Sequence, residues 1–278
     1  MSIASNEARC TSCHVGYGWK DDSFDHTDMT KIDCLVCHDT TGTYKKTPTA
    51  AGMPDPKVDL VKVAKNVGST SRRSCGECHF NGGGGEAVKH ADLSRQLLTP
   101  DRNCDVHMGG YDFQCTECHR TRNHKIAGRS SSVPVAEGDI SCQNCHSATP
   151  HYGDDLLDHH LNKHSDTIAC TTCHAPVYAK CKPTKTFWDW SKAGDKKRKP
   201  EKDKYGMDDY FWKKGEFVWK ESAKPVYRWY GGFTKRLLLG DRLSDITSQF
   251  CCVVVRAVLR DRRSRSILLV AGILTGSI

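Results

Sequence analysis

The chain has 278 residues, only 37% of them hydrophobic, a mean hydropathy of -0.59 and 16 Cys. That apolar supply is lean for a self-sufficient core, and so many cysteines exclude an ordinary cytosolic enzyme; disulfides, metals or covalent cofactors are implied. The formal charge of +8 suits a solvated surface or a field that draws in a small anionic substrate, and acids scattered among the bases argue against nucleic acid.

In chain order, Met1 to Arg9 is short and polar and is no signal peptide. If a cofactor is attached outside the cytosol, such a chain is expected to have lost its export signal or to be a fragment. The string RCTSCHVGYGWK then brings Cys10, Cys13 and His14 in the pattern C-x-x-C-H. A second copy follows at Cys34, Cys37 and His38. Val58, Val61 and Val67 recur at near-helical spacing before Gly68, which predicts a helix over Val58 to Val67. The third copy is Cys75, Cys78 and His79, and it runs into FNGGGGEAVKHADL. Four glycines allow close backbone approach, but no strand precedes them and no G-K-[ST] ends them, so a phosphate loop is not supported. The run instead delivers Glu86, Lys89 and His90 to the neighbourhood of His79, and a short helix is predicted over Glu86 to Leu93.

Further copies are Cys115, Cys118 and His119, then Cys142, Cys145 and His146, then Cys170, Cys173 and His174. Before the last copy, Asp154 to His164 reads as a helix with His160 and His164 on one face. No strand-rich segment stands out. From Lys185 to Tyr230 the composition changes: Phe187, Trp188, Trp190, Trp212, Trp219 and Trp229 lie among lysines, and are expected to pack on the first domain or on a partner subunit. After Lys235 there is arginine but no lysine, and the closing apolar run SILLVAGILTGSI is too short to span a bilayer. This end reads as out of frame or otherwise non-native. The expected organisation is a domain over 1–184, an aromatic and Lys-rich segment over 185–240 and an atypical tail over 241–278.

Six copies of a five-residue pattern are far beyond chance at this composition. Two thiols two residues apart can reach both vinyl groups of one haem, and the adjacent His then falls under the iron. Zinc also uses C-x-x-C pairs but has no need of a His after every second Cys, and a redox dithiol would occur once. The motifs therefore call for haem c, six in this chain, with His14, His38, His79, His119, His146 and His174 as axial ligands. Cys104 and Cys181 are read as incidental thiols or a disulfide. Distal ligands come from the remaining histidines, with His90, His107, His124, His151 and His164 as candidates, in pairings that sequence does not give. The fold class is mainly α with long loops and few strands, short elements wrapped around haems that replace the missing core.

The strings RCTSCHVGYGWKD, DCLVCHDTTGTYKK, CGECHFNGGGGEAVKHADL, CTECHRTRNHKIAGR and LNKHSDTIACTTCH resemble the octahaem tetrathionate reductase family of multihaem c-type cytochromes, over about Asn6 to Gly240. The family name implies eight haems against the six motifs here, as in a fragment without its first motif and with an altered end. The resemblance also implies one haem ligated by lysine. That lysine lands on Lys89, and the active-site haem lands on Cys10 and Cys13. The acidic residue three positions before the lysine lands on Glu86, where the family has Asp. A desolvated, neutral lysine is a more displaceable ligand than a second imidazole, which suits a substrate site.

Two functions follow. In the first, the chain is a periplasmic reductase that draws electrons from a cytochrome or a quinol-linked donor and reduces a sulfur or nitrogen oxo-compound, with Lys89 and Glu86 at the site. In the second, it is an electron carrier with no substrate site. A homo-oligomer is compatible with either.

Overall fold

The computed structural model describes residues 11–19, 21, 23–82, 85–88, 92–128, 140–153 and 155–225, with two short strands beyond. The chain divides into two compact units, one of residues 1–86 and 97–117 and the other of residues 87–96 and 118–278.

The first unit is built from short helices: α1 (Leu35–His38), α2 (Leu60–Ala64), α3 (Arg72–His79) and α4 (Met108–Tyr111). The valine spacing does give a helix, but a single turn, α2, in which Val63 is fully buried and Asp59 caps the Lys62 amide. α3 starts on a capping box. The Ser71 hydroxyl accepts from the Ser74 amide, and the Ser74 hydroxyl accepts from the Ser71 amide at 2.9 Å. Arg72, at the first helical position, is buried; its guanidinium binds the Asp112 carboxylate and the Leu98 carbonyl. α1 packs against α3.

α5 (Cys115–Cys118) leads into the second unit, where β1 (Thr121–Arg122) and β2 (Lys125–Ile126) form a hairpin. Its turn residues Asn123 and His124 both have positive φ, at 50° and 61°, as a two-residue hairpin turn requires. α6 (Leu156–Ser165) realises the helix expected over Asp154 to His164, with Asp155 accepting from the Asp158 amide at its start. α7 (Thr171–His174) follows.

Strands are few, as expected, but the aromatic and lysine-rich segment forms a small sheet. β3 (Thr184–Asp189), β4 (Tyr210–Phe211) and β5 (Gly215–Lys220) form an antiparallel sheet in the order β3-β5-β4, with a bulge between Lys185 and Phe187. The sheet was hidden because its pattern is short and lysine-rich. Its alternation is clear once paired: Phe217 and Trp219 are buried while Val218 is exposed between them. Val88, Trp188, Phe217 and Trp219 make a core, joined by Tyr205 and Met207. β6 (Ala257–Leu259) pairs antiparallel with β7 (Arg265–Ile267).

The helix predicted over Glu86 to Leu93 does not start where expected. Ala87 has a φ of 54°, which breaks a right-handed helix at its second residue. Residues 89–91 lie outside the described set. Helices are therefore shorter, and strands more prominent, than a mainly α reading implies, while the long loops stand. Val63, Thr11 and Ser94 are the largest fully buried side chains among the described residues.

Candidate functional site

The C-x-x-C-H motifs share one local design. α1, α3, α5 and α7 each carry a motif, and a 3-10 turn at Cys142–Asn144 carries the fifth. One helical turn sets the two thiols at i and i+3 side by side and places the His at i+4 on the same face. The turn is closed by repeated backbone bonds. His38, His146 and His174 each donate to the carbonyl of their own first cysteine, at 3.0, 2.8 and 2.9 Å. Cys10 lies outside the described residues, so the first motif is seen from Thr11 onward.

Two of the motif imidazoles are oriented by backbone acceptors. His38 Nδ1 lies 2.8 Å from the Gly68 carbonyl, and His119 Nδ1 lies 3.0 Å from the Ala127 carbonyl. A carbonyl can only accept, so Nδ1 carries the proton and Nε2 is left with a lone pair for a metal.

Cysteines of different motifs meet. In the first unit the Cys78 thiol donates to the Cys13 carbonyl at 3.5 Å. The neighbouring Cys78 side chain brings the Cys13 thiol down to about 6, against burial, and Cys13 together with burial pushes the Cys78 thiol up. In the second unit burial raises the Cys142 thiol, and its neighbour Cys170 adds to the effect. Cys104 and Cys181 are both disulfide-bonded, one of the two alternatives left open for them.

His151 and His174 face each other. Their ring centroids are 6.3 Å apart and their planes differ by 16°. Two imidazole nitrogens each about 2 Å from a shared metal put the ring centroids roughly 6 Å apart. Nearly parallel rings at this spacing fit a stacked pair, and the distance equally matches that of two imidazoles sharing one iron. Asn162, on α6, fixes His151 from three sides: its Oδ1 accepts from the His151 amide at 3.0 Å and from Nδ1 at 3.2 Å, and its Nδ2 donates to the His151 carbonyl at 2.7 Å.

The other predicted ligands are scattered. His107 sits at the start of α4 with its ring 5.6 Å from that of Phe113. His124 occupies the hairpin turn, and His164 is exposed near the end of α6. Glu86 is half-buried just before the strained Ala87. Lys89 and His90 lie outside the described residues.

Sequence reasoning missed the groups around His14. The Trp19 ring is 5.2 Å from His14 and edge-on to it, and also packs on Phe24 and His26. Trp19 Nε1 and, in the last motif, Thr171 Oγ1 are buried with no hydrogen-bond partner. A buried donor left unmade costs about 1–3 kcal/mol, so both atoms suit a polar edge of a bound group. Asn162 carried no sequence signal either, because only the fold brings it to His151.

These residues fit haem c: paired thiols on a helical turn, imidazoles oriented through Nδ1, an imidazole pair at the spacing of two axial ligands and orphan donors beside two motifs. Comparison with known proteins agrees. A family model described as bacterial cytochrome c matches residues 185–268, the stretch that contains β3–β5 and no C-x-x-C-H. The octahaem cytochrome c of Shewanella oneidensis, a solved structure, is 48% identical with a TM-score of 0.76, over 88% of this chain and 55% of that one. An uncharacterised protein of Archaeoglobus fulgidus is 26% identical over 154 residues, 47% of this chain and 50% of its own. The chain thus spans about half the length of the relatives it matches. The resemblance read from the motifs is borne out, as is haem c as the cofactor.

Proposed function

We propose that this chain, a multihaem c-type cytochrome, is a periplasmic reductase that takes electrons from a cytochrome or quinol-linked donor and delivers them to a small anionic sulfur or nitrogen oxo-compound at the first motif. The observation that carries the reading is the packing of neighbouring motifs on one another: the Cys78 thiol reaches the Cys13 carbonyl at 3.5 Å, and the helix of the second motif packs on that of the third. Attachment points in contact place the groups they hold close together, as a conducting chain needs. Haem c supplies the one-electron steps when bound.

The chain's own residues do the rest. The cysteine pairs fix position, and Gly68 and Ala127 hold His38 and His119 in the tautomer that ligates. His151 opposite His174, locked by Asn162, makes a bis-imidazole site suited to conduction rather than to substrate. The first motif is assigned the substrate because its resemblance implies Lys89 as a weaker distal ligand. Glu86 is assigned as proton donor. That role matters for nitrite and hydroxylamine, whose reduction consumes protons. It does not matter for tetrathionate, where two electrons break the central S–S bond and yield two thiosulfates.

The test uses the haem-loaded chain, reduced and freed of reductant. Tetrathionate, nitrite or hydroxylamine is then added while the Soret band is followed. Rapid reoxidation that is lost in Lys89→Ala supports a reductase. No reoxidation by any of the three, with haem in place, leaves an electron carrier.

A further inference from the structure

Lys46 is almost fully enclosed: its side chain is 3% exposed. Its ammonium donates to the carbonyls of His14 and Gly16, both at 2.9 Å, and stands 3.7 Å from Asp33 Oδ2. The Asp33 side chain is itself only 9% exposed. Tyr44 donates its hydroxyl to the same carboxylate oxygen. The other oxygen, Oδ1, accepts from the Leu35 amide at 3.1 Å, at the start of the helix that carries Cys37 and His38.

The surrounding backbone closes on the same segment. Asp33 donates its amide to the Val15 carbonyl at 2.9 Å, and Tyr17 donates to the Lys31 carbonyl at 3.1 Å. From the other side, the Trp19 amide donates to the Ala51 carbonyl at 3.0 Å. Gly52, at a φ of 79°, comes so near that a Cβ there would strike the Gly16 carbonyl. The stretch just after the first motif is therefore seated between residues 31–33 and 46–52.

Burying an ion pair is poor value for stability alone, because desolvation cancels most of the attraction. Here the pair also holds two backbone carbonyls behind an iron ligand and a helix start under the next motif. We propose that Lys46, held by Asp33 and Tyr44, is a positioning residue for His14, fastening the backbone behind the first haem site to the helix of the second. This deepens the function proposed above but needs only haem attachment at the first motif, not reductase activity. Lys46 also balances the Asp33 carboxylate beside that site, so its loss leaves the carboxylate uncompensated and is expected to lower the potential there.

The experiment is a spectroelectrochemical titration with low-temperature EPR on the haem-loaded full chain, comparing wild type, Lys46→Met and Tyr44→Phe. The first haem's signal is identified as the one altered in His14→Met. With haem content unchanged, Lys46→Met is expected to shift the redox equilibrium of that signal about tenfold toward the oxidised form, about 59 mV for one electron. Tyr44→Phe removes a single oxygen and is expected to move the same signal less, in the same direction. If both loaded variants keep the wild-type potential and g-values, or shift all signals alike, the proposal is overturned. If Lys46→Met does not take up haem, Tyr44→Phe decides alone: a shift of the first signal supports the clamp, and none overturns it. A shift that persists in a protein inert to tetrathionate, nitrite and hydroxylamine would sink the reductase reading and leave the clamp standing.

Discussion

Replacing Asn162 with Leu tests the bis-imidazole site without touching either histidine. The substitution removes three hydrogen bonds to His151, at 3.0, 3.2 and 2.7 Å, and keeps the volume close. At about 1 kcal/mol net per bond, part is recovered by water at the half-buried site, so the loss of orientation is about 1.5–3 kcal/mol. That range matches the 10- to 100-fold weakening typical when a partner of a ligating histidine is removed. The assay is a carbon monoxide titration of the fully reduced, haem-loaded protein, read in the Soret band. An external ligand must displace His151, so its apparent affinity at one haem is expected to rise 10- to 100-fold in Asn162→Leu. All other haems keep their behaviour. A titration superimposable on wild type, with haem content equal, would refute the assignment of His151 as the partner of His174.

Lys185 gives a pH test. It is buried with its ammonium 3.1 Å above the Phe217 ring centroid and 4.9 Å from that of Trp219, and burial lowers it from 10.5 to about 8. Between those values the unfolded chain keeps a proton that the folded chain has released, so stability rises with pH across that window. Relative to Lys185→Met, wild type is expected to gain up to about 3 kcal/mol between pH 7.5 and 10 in denaturant titrations; a flat difference would contradict this. Gly76→Ala places a methyl group against the buried Phe80 ring, so overpacking of about 1–3 kcal/mol is expected as a lowered thermal midpoint. Ser71→Ala breaks the capping box of α3 and is expected to cost about 1 kcal/mol by the same measurement, with Ser71→Asp restoring most of it.

The cofactor was legible because its chemistry is written locally. A C-x-x-C-H string needs only one helical turn to become an attachment site, and the turns at Cys34, Cys75, Cys115 and Cys170 show that local design. The helix from Leu156 was legible for the same reason, through its Asp155 cap and spacing. What escaped depends on contacts far apart in sequence. β3 and β5 pair residues about thirty positions apart, and each is too short and too rich in lysine to signal a strand alone. Lys46 reaches His14 across 32 positions and His151 meets Asn162 across 11, and neither link has a motif. The glycine run misled in another way: it looked able to start a helix at Glu86, but the backbone turns left-handed at Ala87.

The central claim is that one iron site differs from the others, which conduct. The most direct measurement is a census of axial ligands in the oxidised, haem-loaded chain by low-temperature EPR with near-infrared magnetic circular dichroism. The account predicts bis-imidazole signals together with a single site of another ligand set, and predicts that Lys89→Ala alters that site alone. A spectrum in which every haem is bis-imidazole, unchanged by Lys89→Ala, would contradict it.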